Sequence, residues 1–135
     1  MSQENFDAVR GLVAAFNAQD WDAACAVLDP GVEWRPAFTG GGAVEGAVYR
    51  GHAGFRRYLT GLTDTWADIE GYIHDLRAVG DRVLLTASMR FVGRASGVEM
   101  TQPITGVFTF QSGKVATACY YVDRVEALEA LGLTE

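Results

Sequence analysis

Residues 101–110 (TQPITGVFTF) alternate larger apolar side chains with small or polar ones, and residues 115–122 (VATACYYV) follow after a break at residues 111–114. A period of two around a short turn that contains glycine predicts a long antiparallel hairpin. At Asp123 the pattern changes to that of a capped helix ending near Gly132. Helical patterns come first in this chain and strands come last. The order predicts a curved sheet around helices, with a cavity between them for a small molecule.

Upstream of the hairpin, the spacing of apolar residues predicts three helices, within residues 2–16, 20–28 and 51–66. Short strands are expected at residues 32–35 and 47–50, and longer ones at residues 69–79 and 83–92. Residues 36–46 hold four of the sixteen glycines and predict a mobile loop that could gate the cavity. Four consecutive strands with short turns predict an antiparallel meander.

Length and composition predict a single domain, residues 1–135, that needs neither a disulfide nor a metal to fold. The net charge of −6 argues against a nucleic-acid partner, which requires a basic face. No segment approaches the ~20 apolar residues of a membrane span, and the polar N-terminus does not resemble a signal peptide. Cys25 and Cys119 are expected to be free thiols. We therefore expect a cytoplasmic protein with no membrane partner.

The strand at residues 83–92 has apolar side chains on both faces, because Leu84 shares its face with Thr86, Ser88 and Arg90. One face should cover the helices. The other should meet a second apolar surface, most simply another copy of the sheet. The sequence thus predicts a homodimer through the sheet.

Three residues are candidates for catalysis. Asp123, at the end of the last strand, could face the cavity as a general base, or it could cap the final helix together with Glu126. Arg90 could bind an anionic oxygen or pair with neighbouring carboxylates, although no pair of carboxylates on adjacent strands is evident. Tyr58 could donate to a ligand carbonyl or be an ordinary core tyrosine.

The pocket wall is expected to hold further aromatic and apolar residues. Tyr58 and Leu62 share a helical face with Trp66, and this face should oppose the sheet. Tyr120 and Tyr121 point to opposite faces of their strand, and the sequence leaves open which of them faces the cavity. The ligand-binding candidates are Trp34, Phe38, Tyr49, Leu62, Trp66, His74 and Tyr121.

No motif of a nucleotide-binding loop or a metalloprotease is present in the sequence. The two histidines, His52 and His74, have no second histidine or cysteine at ligand spacing, so a metal site is not expected. His74 alternates with Tyr72 and Leu76, a pattern that favours an ordinary strand histidine over a ligand-binding one.

Five segments carry a resemblance that spans nearly the whole chain: residues 20–34 (DWDAACAVLDPGVEW), 49–55 (YRGHAGF), 97–100 (GVEM), 107–115 (VFTFQSGKV) and 121–133 (YVDRVEALEALGL). They resemble the SnoaL-like polyketide cyclase family of the nuclear transport factor 2-like superfamily. The resemblance implies an α+β fold, a cone-shaped barrel of a curved, mostly antiparallel sheet wrapped around three N-terminal helices, with a short C-terminal helix.

For function, the resemblance implies a deep apolar pocket, dimerisation through the sheet and no cofactor. Cyclases of the family use an acidic residue as the base, a role that would fall to Asp123. The expected protein binds a small apolar carbonyl compound, as a cofactor-independent cyclase, isomerase or hydrolase. The alternative is a ligand-binding or assembly module without catalysis, because the superfamily uses one scaffold for many roles.

Overall fold

The structure is a computed structural model that describes the backbone of residues 2–39, 42–43 and 48–133, and the side chains of these residues except at positions 2, 38, 39, 42 and 43. The helices are α1 (Ser2–Ala18), α2 (Trp21–Ala26), α3 (Gly51–Thr65) and α4 (Arg124–Ala130). The strands are β1 (Leu28–Arg35), β2 (Phe38–Thr39), β3 (Gly42–Ala43), β4 (Tyr49–Arg50), β5 (Trp66–Val79), β6 (Arg82–Gly93), β7 (Glu99–Gln111) and β8 (Lys114–Tyr121).

Six strands form one curved sheet in the order β4-β1-β8-β7-β6-β5. The last four strands along the chain make the antiparallel meander that the sequence predicts. Strand β1 runs parallel to β8, and β4 runs antiparallel to β1, so the sheet is mixed. It is also unclosed, with β4 and β5 as its two edges. The α+β class with a curved sheet and N-terminal helices is confirmed, and the expected barrel is an open sheet.

Two boundaries differ from the sequence prediction by three residues or more. Trp66 is the first residue of β5, because the chain leaves α3 at Thr65 and takes extended dihedral angles at Trp66 (φ −111°, ψ 129°). Strand β1 begins at Leu28, and its pairing with β8 is irregular between Leu28 and Glu33. The Asp-Pro-Gly sequence at residues 29–31 therefore interrupts the pairing without ending the strand.

The segment predicted as a mobile loop contains the short strands β2 and β3, which pair with each other. Residues 40–41 and 44–47 lie outside the described residues, so the mobility of this segment stays a prediction.

The main core lies between α1, α2, α3 and the concave face of the sheet. Its largest fully buried side chains include Phe55, Leu59, Leu85, Phe91 and Phe108. These residues come from opposing layers, so the burial that closes the core also fixes the helices over the sheet.

A smaller core lies on the convex face. Leu84 of β6 and Val107 of β7 pack there against Ala127, Leu128 and Leu131 at the C-terminal end of the chain. This contact explains why β6 carries apolar residues on both faces: α4 of the same chain covers Leu84. No helix among the described residues is both long and apolar enough to cross a membrane.

Helix α1 is held to the edge strand β5 by one amide side chain. Asn17 donates from Nδ2 to the carbonyl oxygen of Gly71 (2.9 Å) and accepts at Oδ1 from the Gly71 N–H (2.8 Å). A Cβ at position 71 would stand 3.3 Å from the Met89 sulfur and 3.5 Å from Val13. Glycine at this position therefore lets the helix and the strand approach closely.

Candidate functional site

A cavity of about 60 Å³ lies between the helices and the concave face of the sheet. Since each buried water needs roughly 10–15 Å³ of such space, the cavity has room for about four to six waters, or one small ring. Its wall is formed mainly by apolar and aromatic side chains, which belong to Leu12, Val13, Phe16, Trp34, Pro36, Ala37, Phe55, Tyr58, Leu62, Gly71, Tyr72, Leu85, Ala87, Met89, Phe91, Ile104 and Tyr120.

Two periodicities place these residues on the wall. Alternate residues of β6, from Leu85 to Phe91, point into the cavity because side chains alternate across a strand. On α3, Phe55, Tyr58 and Leu62 fall at three- and four-residue spacing and so lie on one helical face. The first strand contributes Trp34 from the other side of the cavity.

The polar atoms of the wall are concentrated around Trp34. The ring centroid of Trp34 is 5.8 Å from that of Tyr58 and 5.3 Å from that of Tyr120. Burial raises the pKa of Tyr58 well above its ordinary value, and the neighbouring Trp34 N–H opposes part of that rise. Burial likewise raises the pKa of Tyr120, and the nearby Tyr58 hydroxyl adds to the effect. Both tyrosines are therefore neutral phenols at physiological pH.

The indole N–H of Trp34 is buried and makes no hydrogen bond within the part of the chain that the structure describes. The ring of Tyr58 packs beside that of Trp34, but the two groups do not meet the geometry of a hydrogen bond. A buried donor without an acceptor is unusual in a folded protein.

Three of the predicted wall residues, Trp34, Tyr58 and Leu62, do line the cavity. Two others lie behind it: the ring of Tyr49 packs 5.4 Å from Tyr58, and that of Trp66 packs 5.1 Å from Phe91. The side chain of Phe38 falls outside the described residues.

Tyr121 and His74 lie on the convex face, away from the cavity, which corrects their assignment as ligand-binding residues. Tyr121 packs against the convex core beneath α4. Its pKa rises to about 12, chiefly through burial. The ring nitrogen Nε2 of His74 is hydrogen-bonded to Ser88 Oγ at 2.7 Å. Of the two adjacent tyrosines, Tyr120 lines the cavity and Tyr121 therefore points to the opposite face of β8.

Arg90 also lies on the convex face, because it alternates with the cavity-lining Met89 and Phe91. Contrary to the sequence prediction, it does have carboxylates on both adjacent strands. Its guanidinium contacts Asp68 at 2.5 Å and Glu70 at 3.3 Å on β5, and Glu99 at 3.3 Å on β7. The hydrogen bonds to Asp68 and Glu70 raise the pKa of Arg90 above its ordinary value. The cluster is an ion-pair network of the outer surface, and none of its four residues lines the cavity.

Asp123 caps α4. Its Oδ1 accepts from the backbone N–H of Val125 at 2.8 Å, and its side chain is exposed to solvent. The sequence allowed Asp123 to be either a base that faces the cavity or a helix cap. In the structure it is a helix cap and is not part of the cavity wall. A role as the catalytic base is not supported by this position.

Phe55 and the residues of α1 were not among the predicted wall residues, and Tyr120 was one of two tyrosines between which the sequence left the choice open. The alternation of β6 was a usable signal for the sheet wall, whereas nothing local indicates that Leu12, Val13 and Phe16 face a cavity rather than a filled core. No group of three or more potential metal ligands occurs among the described residues.

Comparison with known families gives one match. A model of the SnoaL-like domain matches residues 9–118, which is most of the chain. No curated protein matches the sequence.

Solved structures show the same fold. An NTF2-like protein of unknown function from Burkholderia pseudomallei has 22% identity and a TM-score of 0.77, covering 95% of this chain and 97% of the other. TerC, co-crystallised with polyporic acid, has 21% identity and a TM-score of 0.76, covering 96% and 98%. A candidate polyketide cyclase from Xanthomonas campestris pv. campestris has 20% identity and a TM-score of 0.73, covering 96% and 97%.

Proposed function

Because this chain belongs to the SnoaL-like domain family, we propose that it binds a small, largely apolar carbonyl compound in its internal cavity. The observation that carries the proposal is the cavity itself, which is enclosed by aliphatic and aromatic side chains and has its polar groups gathered near Trp34. Concave apolar sites with a few convergent polar groups are the usual form of small-molecule sites. Among its structural neighbours, TerC was crystallised with polyporic acid.

The hydroxyl of Tyr58 is the group best placed to recognise the carbonyl. A neutral phenol can donate a hydrogen bond to a carbonyl oxygen and so stabilise negative charge that develops there. This would assist a cofactor-independent cyclisation, isomerisation or hydrolysis. The likeness to a candidate polyketide cyclase supports the first of these.

A second candidate function, non-catalytic binding, is favoured by the composition of the wall. Among the lining residues that the structure describes, none has a carboxylate, imidazole or amine side chain. Binding and polarisation of a carbonyl are supported by these residues directly, whereas proton abstraction requires a base that they do not supply.

Binding is tested by filling the cavity. We expect Ala87→Leu to weaken the binding of cyclohexanone at least fivefold in an NMR titration, because the added side chain occupies cavity space. Ser88→Leu is the matched control, since position 88 is on the opposite face of the same strand, where Ser88 Oγ contacts His74. Equal affinity in the wild type and in Ala87→Leu would contradict the proposal.

Catalysis is tested with a minimal diketone. Heptane-2,6-dione can cyclise by intramolecular aldol condensation to 3-methylcyclohex-2-enone with loss of one water. A cyclase should accelerate this reaction, and Tyr58→Phe should slow the accelerated rate by about tenfold, the value of one hydrogen bond of ~1–1.5 kcal/mol. Binding without acceleration would favour the second candidate.

We also propose that the protein is a cytoplasmic homodimer that associates through the sheet. Free Cys25 and Cys119 suit a reducing compartment. Helix α4 covers Leu84 on the convex face, so the apolar surface from which the dimer was predicted is occupied within the chain. The interface would therefore use the rest of the convex face, around Ser88, Arg90 and Pro103.

A further inference from the structure

We infer that Trp34 and Tyr58 form a directional hydrogen-bond pair that makes the polar end of the cavity a donor, so that the site selects a ligand with a neutral acceptor oxygen, such as a ketone or quinone. The inference rests on the proposed function and names the ligand class. It also assigns Trp34 as a positioning residue that acts through Tyr58.

The direction of the pair follows from the chemistry of the two groups. An indole N–H can only donate, whereas a phenolic hydroxyl can both donate and accept. Any hydrogen bond between Trp34 and Tyr58 must therefore run from the indole N–H to the phenolic oxygen. The proton of Tyr58 is then left for another acceptor.

The unpartnered state of Trp34 fits a pair that completes when a ligand binds. The indole N–H is buried and has no hydrogen-bond partner among the described residues, and the ring centroids of Trp34 and Tyr58 are 5.8 Å apart. Hydrogen bonds of a site are often poorly aligned without ligand and tighten in the complex. When Tyr58 donates to a ligand, its oxygen becomes a better acceptor, because linked hydrogen bonds polarise one another. The Trp34 bond should shorten as a result.

Tyr120 supplies a second donor at the same end. Its ring centroid lies 5.3 Å from that of Trp34, and its side chain lines the same cavity as Tyr58. A carbonyl oxygen has two lone pairs and can accept from both phenols. Burial keeps both groups protonated, so they remain donors. A carboxylate ligand would find no cationic side chain among the described lining residues, and its desolvation would be costly.

The test compares cyclohexanone with methylenecyclohexane, which has a similar shape but no acceptor oxygen. With ¹⁵N-labelled protein, the indole resonance of Trp34 is identified by its loss in Trp34→Phe. Cyclohexanone should shift this N–H proton downfield, as expected for a strengthened hydrogen bond. Methylenecyclohexane should bind without that shift. This measurement uses the wild-type chain and does not depend on the stability of a variant.

The preference for the ketone is measured in the wild type and in variants as a ratio, the dissociation constant of cyclohexanone divided by that of methylenecyclohexane. Tyr58→Phe should raise the ratio by three- to tenfold, because only the ketone loses a hydrogen bond. Trp34→Phe should raise it by two- to threefold although position 34 makes no hydrogen bond to the ligand. Tyr49→Phe is the control: Tyr49 packs against Tyr58 but is not on the wall, so the ratio should not change.

Distinct results overturn the inference and the proposed function. Binding of both probes with an unchanged ratio in Tyr58→Phe, or no shift of the Trp34 resonance, would overturn the inference and leave cavity binding in place. Tighter binding of cyclohexylammonium or cyclohexanecarboxylate than of cyclohexanone would contradict the inference that the site selects a ligand with a neutral acceptor oxygen. A larger effect of Tyr49→Phe than of Tyr58→Phe would show that the Tyr58 proton is donated to Tyr49. Failure of both probes to bind would overturn the proposed function as well.

Discussion

Two tyrosines on the cavity wall supply the donors of the proposed ligand site, and they should also make the stability of the fold depend on pH. Tyr58 and Tyr120 have pKa values raised by burial above the ordinary value of 10.0. In the unfolded chain the same hydroxyls are solvated and ionise near pH 10. At pH values above 10 but below the raised pKa values, the two hydroxyls keep their protons in the folded state and have lost them in the unfolded state.

The free energy of unfolding should consequently fall as the pH rises above 10, and these groups should have no effect below that value. Each tyrosine can contribute a slope of up to ~1.4 kcal/mol per pH unit, because the unfolded state binds fewer protons. Urea unfolding between pH 8 and pH 11 measures the slope. Tyr58→Phe should have a shallower slope than the wild type, because it removes one of the two buried phenols. Parallel profiles for the two proteins would show that Tyr58 is not buried in solution.

At the level of single residues, the sequence predicted part of the site. The helical spacing of Tyr58 and Leu62 was sufficient, because it depends only on the local period. Trp66 has the same spacing but belongs to β5, since the helix ends one residue earlier. The choice between Tyr120 and Tyr121 required the register of β8 in the sheet, which no local pattern supplies.

Among the elements, α4 shows how one residue at an element boundary supports two interpretations. The pattern of Asp123 followed by Glu126 predicted a helix start and also suggested a catalytic base. The structure has the cap, with the bond from the Val125 N–H to Asp123.

Substitution at Asp123 separates these roles. Asn is as good a cap as Asp, so Asp123→Asn should retain both stability and ligand affinity. Asp123→Ala should lower the free energy of unfolding by about 0.5–2 kcal/mol with unchanged affinity. Thermal unfolding and the cyclohexanone titration measure the two quantities. If Asp123→Asn abolished a measured cyclase activity while remaining folded, Asp123 would be the base after all.

The strand pairs that the sequence predicted are those between neighbours along the chain. Short turns after β5, β6 and β7 make adjacent pairing the simplest arrangement. The parallel pairing of β1 with β8 joins residues that are about 85 positions apart in the sequence. The three helices α1, α2 and α3 pack together beneath the sheet and bring these two strands side by side. That contact is a property of the whole domain, and so the local patterns could not reveal it.

For the whole molecule, the proposed dimer has a direct test. Sedimentation at micromolar concentration should give about twice the chain mass of 14.6 kDa. Pro103→Arg, at an exposed position of β7 opposite Ser88, should shift the protein toward the monomer by placing a charge in the interface. Gln111→Arg, at the exposed end of the same strand, is the control. A wild-type monomer at that concentration would contradict the sheet-mediated dimer.

The alternation of β6 has a consequence for how such a protein can diversify. Leu85, Ala87, Met89 and Phe91 touch the cavity, while Ser88 and Arg90 between them hold contacts on the outer surface. A mutation at an odd-numbered position can therefore reshape the binding site without disturbing the outer contacts, and one at an even-numbered position can do the reverse. Changes to the cavity wall and changes to the outer surface thus fall at separate, interleaved codons of one strand.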